Sequence, residues 1–109
     1  MIVDIEQLVE KRPLFYSYNY NNKRINFFVI KINGRVTSYL DACRECYPKK
    51  LGFGFDDGHI YCRSCNVRYP VDEIEKGLGS CYPIKITGEE RGGKYFIPLK
   101  ILQKRADIF

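Results

Sequence analysis

A chain of 109 residues, 45% hydrophobic and 15% aromatic, is long enough for one domain with a modest core, which excludes a disordered chain. No apolar run approaches the ~20 residues of a membrane-spanning helix and no secretory leader opens the chain, so residues 1–109 read as a single soluble β domain without a span. The formal charge of +5 comes from Lys and Arg scattered along the chain, the pattern of a solvated surface, and no nucleic-acid partner is expected.

Taken in order, residues 3–11 carry apolar side chains at 5, 8 and 9 behind Asp4, a spacing that predicts one or two turns of N-capped helix ended by Pro13. Residues 14–20 are rich in aromatics with alternation in their second half and predict a strand. The turn Asn21-Asn22-Lys23 leads to a partner strand over 24–32. Asn33-Gly34, the strongest short hairpin signal, leads to a third strand over 35–40, so a meander runs directly into Cys43.

Beyond the first cysteines, Pro48, Lys49 and Lys50 interrupt the pattern. Residues 53–55 and 59–62 flank Asp56-Asp57-Gly58 as a second hairpin. Residues 67–70 continue briefly, and 72–76 predict one helical turn closed by Gly77. A tight loop occupies 78–83. Residues 84–87 and 94–97 read as a final hairpin, followed by a short helix after Pro98 with apolar positions 99, 101, 102 and 106. The expectation is a mostly β fold of seven or eight short strands with short terminal helices.

The chemistry lies in two C-x-x-C pairs, Cys43/Cys46 and Cys62/Cys65, with Cys81 following beside Gly79 and Pro83. In a C-x-x-C turn two thiolates converge, and two such turns joined by a hairpin supply the four soft ligands of tetrahedral zinc or an iron–sulfur cluster. The intervening residues 47–61 sit at the short edge of the spacing read as a zinc site. Disulfides explain the pattern poorly, because five cysteines are an odd number and C-x-x-C disulfides are reducible pairs rather than staples. The ligands are assigned to Cys43, Cys46, Cys62 and Cys65. Cys81 is a spare thiol, a substitute ligand or half of a redox-sensitive disulfide. His59, the single histidine, reads as an exposed strand or turn residue rather than a ligand.

No Ser–His–Asp set, phosphate loop or dinucleotide fingerprint is present, and no enzyme is expected. Asp56-Asp57 is explained by its turn, and Glu89-Glu90 by solvation. Two readings of the metal remain. One is an iron–sulfur electron carrier, and the other is a structural Cys₄ zinc module that binds another protein. Soft thiolates also suit copper handling.

The segments Asp41-Ala-Cys43-x-x-Cys46-Tyr-Pro48, Tyr61-Cys62-x-x-Cys65 and Gly79-Ser-Cys81-Tyr-Pro83, with residues 27–31 before and 95–98 after, resemble the FtrD-like family of membrane-associated iron–sulfur proteins. That resemblance implies an iron–sulfur cluster and a redox partner or membrane transport subunit in metal uptake or respiration. It also implies a site beside a membrane, on either its cytoplasmic or its extracytoplasmic side. The order of hairpin, ligand pair, hairpin, ligand pair and covering loop (78–83) also resembles a Rieske domain, a small antiparallel β sandwich or barrel. Rieske sites pair Cys with His, whereas both pairs here are cysteines, as in a zinc ribbon.

Overall fold

The computed structural model describes residues 1–6, 8–43, 52–56, 58–63, 68–74 and 83–105, with the side chains of residues 42 and 43 excepted. Among these lie ten strands and one short helix, arranged as three antiparallel sheets. The mostly β, antiparallel fold class is as expected.

The central sheet contains β2 (Leu14–Tyr20), β3 (Lys23–Ile32), β4 (Arg35–Cys43) and β8 (Pro83–Ile86), in the order β2-β3-β4-β8. Its registers place Tyr20 opposite Lys23 and Ile32 opposite Arg35, so each connection is a two-residue loop. Asn21, Asn22, Asn33 and Gly34 all have positive φ, as type I′ hairpins require. Asparagine and glycine tolerate that conformation with little steric cost, which is why these dipeptides mark the turns in the sequence. The Glu10 carboxylate secures the second turn by accepting hydrogen bonds from the Asn33 and Gly34 amides.

β3 is buried on both faces. Ile25, Phe27 and Val29 point to one hydrophobic cluster, and Phe28 and Ile30 to another. Successive strand side chains alternate sides, so the uninterrupted apolar run from Phe27 to Ile30 belongs to a strand covered above and below. The first cover is the sheet β1-β10-β9, formed by β1 (Ile2–Asp4), β9 (Glu89–Arg91) and β10 (Lys94–Phe96). The second is β5-β6-β7, formed by β5 (Phe53–Asp56), β6 (His59–Cys62) and β7 (Arg68–Pro70).

Two expectations are corrected. Residues 3–11 do not form a helix. Ile2–Asp4 pairs antiparallel with β10, and the chain then crosses to a parallel bridge between Glu10 and Lys31. A helix of fewer than about 12 residues is marginal without tertiary support, whereas β10 offered an open edge. The period-two pattern was present: Val3 and Ile5 are buried while Ile2 and Asp4 are exposed. Asp4 caps no helix; its Oδ1 accepts the Glu6 amide at 3.0 Å as the strand ends.

The final hairpin is also differently composed. β8 pairs with β4 in the central sheet, whereas β10 pairs with β9 across the two-residue loop Gly92-Gly93. Ile86 and Tyr95 still meet in one core, but from different sheets.

The remaining elements follow the sequence closely. The turn predicted over 72–76 is a 3₁₀ turn at Val71–Glu73, which buries Val71, and Ile74 beyond it is buried too. The C-terminal helix is α1 (Leu99–Lys104), which starts after Pro98 and inserts Leu102 fully into the first cluster. The residues expected to form the C-x-x-C turns beyond Cys43 and Cys62, and the covering loop on which the Rieske likeness rests, lie outside the described residues.

Candidate metal centre

Two of the five cysteines fall on described strands, and each closes its strand. Cys43 is the last residue of β4, and Cys62 is the last residue of β6. Each first cysteine of a pair therefore sits at the end of a paired strand. Cys46 and Cys65 follow three residues later in the sequence, outside the described residues, as does Cys81.

Cys62 is buried, 1% exposed, on the same face of β6 as Ile60. It shares a cluster with Phe28, Tyr39, Phe53 and Tyr69. It forms no disulfide. Its thiol is thus presented at the rim of an apolar layer that shields one side from water. Burial of this kind is one of the levers that set a cluster's potential.

β4 and β6 belong to different sheets, and what links their cysteine ends is a carboxylate. Asp41 lies two residues before Cys43, and its Oδ1 accepts the backbone N–H of Phe53 at 2.7 Å. Phe53 opens β5 and is the registered partner of Cys62. Alongside, the Arg63 amide donates to the Gly52 carbonyl at 3.2 Å, continuing the pairing one step past Cys62. Gly52 has φ +72°, and a Cβ there would stand 2.7 Å from Asp41 Oδ1. Only glycine both adopts that backbone and admits the carboxylate. Burial holds the Asp41 carboxyl above its ordinary range, while the Phe53 N–H and the Arg63 charge pull it back down.

On the far strand of the central sheet, β8 begins opposite the same point. Cys43 registers with Pro83, after a register shift between Tyr39 and Cys43. Pro83 is two residues past Cys81 in the sequence. The end of β4 thus lies beside the start of β8 on one side and, through Asp41 and Phe53, beside the end of β6 on the other. Among the described residues no three His, Cys, Asp or Glu side chains gather as a metal-holding group, and Cys46, Cys65 and Cys81 lie outside them.

His59 opens β6 and pairs with Asp56 and Pro70. It is half-buried rather than exposed. Three residues of strand separate it from Cys62, about 10 Å at strand rise, so β6 does not carry both to one point. Asp56 lies 3.5 Å from Arg68, and Glu89 lies 2.8 Å from Arg91, all exposed.

Sequence reasoning supplied the cysteines and named Asp41 only as part of a motif. The role of Asp41 as a bridge depends on Phe53, twelve residues away, and no spacing rule connects them. The donor set fits a metal that prefers sulfur: cysteines at the ends of β4 and β6, with the Cys62 thiol shielded from water.

The family model described as "Membrane iron-sulfur containing protein FtrD-like" matches residues 8–109, nearly the whole chain. No curated protein and no solved structure matches the chain significantly.

Proposed function

Because the chain belongs to the FtrD-like family of membrane iron–sulfur proteins, we propose that it is a one-electron carrier domain whose cluster is held by Cys43, Cys46, Cys62 and Cys65. The observation that carries this reading is the placement of Cys43 and Cys62 at two strand ends linked by Asp41 and Phe53. When bound, the cluster would supply reversible one-electron transfer.

The protein's own contribution is to hold thiolates and exclude water. Phe28, Tyr39, Phe53 and Tyr69 back the Cys62 side with apolar surface. A cluster held there would exchange electrons with a protein redox partner or a membrane transport subunit, in metal uptake or respiration. The chain acts as a redox subunit and not as an enzyme.

No helix of the described residues is long and apolar enough to cross a membrane.

Anaerobic purification with iron, sulfide and zinc analysis tests the reading. Iron and acid-labile sulfide in equal amounts, with visible absorption and a reduced-state EPR signal, are expected. Stoichiometric zinc in a colourless protein would replace this reading with the structural zinc module, and copper would replace it with metal handling.

A further inference from the structure

A metal site built from two cysteine turns on different sheets needs the turns held at a fixed separation before the metal arrives. The hydrogen-bond ladders cannot do this, since β4 and β5 share no strand pairing. Among the described residues, the hydrogen bond that joins them is the 2.7 Å bond from the Phe53 amide to Asp41 Oδ1, beside the core cluster that Tyr39 shares with Phe53 and Cys62. The close seat of that carboxylate on Gly52 completes the join.

We propose that Asp41 is the positioning residue of the metal centre: it ties the strand end carrying Cys43 to the strand pair carrying Cys62 and so sets the separation of the two cysteine turns. The inference rests on the cysteine-ligand reading above and adds a residue that touches no metal.

The geometry accounts for three features at once. The carboxylate replaces a missing ladder bond at the start of β5, where the Phe53 amide would otherwise be buried without a partner; Phe53 is 1% exposed. Gly52 leaves room for the carboxylate where any Cβ would push it away. Arg63, next in sequence to Cys62, places its positive charge near the same carboxylate and adds attraction between the two sides. An acceptor at position 41 is therefore required, and its negative charge is secondary. Residues that orient ligands without touching the metal commonly change affinity 10–100-fold when removed.

Cobalt(II) binding to the reduced, metal-depleted chain tests this, read by the thiolate-to-cobalt absorption band and by competition affinity. Asp41→Asn keeps an acceptor for the Phe53 amide and should bind with the wild-type band at an affinity within about 3-fold. Asp41→Ala should bind about 10–100-fold more weakly. Ser38→Ala, which breaks a buried contact on the other side of the central sheet, serves as the stability control and should keep wild-type affinity. If Asp41→Ala does not fold, Gly52→Ala replaces it, with the carboxylate displaced and the same loss expected. Wild-type affinity in Asp41→Ala or in Gly52→Ala, or an equal loss in Ser38→Ala, would overturn the inference alone. A wild-type chain with no thiolate band would overturn the ligand reading and this inference with it.

Discussion

The hydroxyl of Tyr95 lies 3.0 Å from the hydroxyl of Ser38 in the core between the central sheet and the β1-β10-β9 sheet. Ser38 has one proton, and it goes to the Ile86 carbonyl at 2.7 Å, an atom that can only accept. Tyr95 therefore donates to Ser38. The ring of Tyr95 covers Gly88, where a Cβ would stand 2.3 Å from it. One buried polar chain thus joins β10, β4 and β8.

Ser38→Ala removes the acceptor of a buried phenol and should cost about 1–3 kcal/mol, while Tyr95→Phe, which leaves the Ser38–Ile86 bond intact, should cost about 0.5–1.5 kcal/mol. Urea denaturation of the two variants measures this. Equal costs, or a neutral Ser38→Ala, would show that the Tyr95 hydroxyl finds water when Ser38 is gone.

Each of Cys43→Ser, Cys46→Ser, Cys62→Ser and Cys65→Ser should lose the metal, because each removes one of four thiolates. Cys81→Ser should keep most of it. Cys62→Ser should also destabilise the metal-free chain, since it sets a hydroxyl among Phe28, Phe53 and Tyr69. Metal content and melting temperature of the five variants decide this. Metal lost from Cys81→Ser and retained in one of the others would move Cys81 into the ligand set.

Metal removal should act unevenly on the fold. Among the described residues, the cluster of Val3, Phe27, Val29, Leu40 and Leu102 contains no cysteine, whereas the β5-β6-β7 side contains Cys62. Anaerobic chelation should lower the melting temperature by roughly 10–20 °C, corresponding to about 2–4 kcal/mol for a domain of this size. Hydrogen exchange should rise first in β5–β7 and later in β3. An unchanged melting curve would show that the thiols hold no structural metal.

On the proposed ligand set of four cysteines, reduction of a bound cluster would add negative charge to a set that already carries four thiolates. The potential should therefore lie nearer the plant-type value of about −400 mV than the Rieske range of roughly −150 to +300 mV. Exposed cations such as Arg63 and Arg68 are screened and offset little of this. No imidazole ligand is present to titrate, so the potential should be flat near neutral pH. Film voltammetry between about pH 6 and 9 checks both statements. A high potential falling steeply with pH would place His59 on the metal.

The hairpins were legible because their signals are local. Asn33-Gly34 states its own positive φ, and the two-residue loop then fixes the register of β3 against β4. Residues 24–32 declared a strand, while the cover on both faces of its Phe27–Ile30 run came from the sheets packed on either side. The cysteine pairs announced a soft-metal site by chemistry alone.

What the sequence by itself determined is thus the set of strands that carry their own turns and the spacing of the cysteines along the chain. Only the tertiary structure decided where open edges and unpaired groups found partners. Residues 2–4 became a strand because β10 had a free edge, and residues 83–86 left the final hairpin because β4 accepted them. Asp41 became a bridge because Phe53 began a strand with no neighbour to take its amide. Each of these outcomes depends on a group twelve or more residues away, and the requirement that a buried amide or strand edge be satisfied has no fixed spacing along the chain.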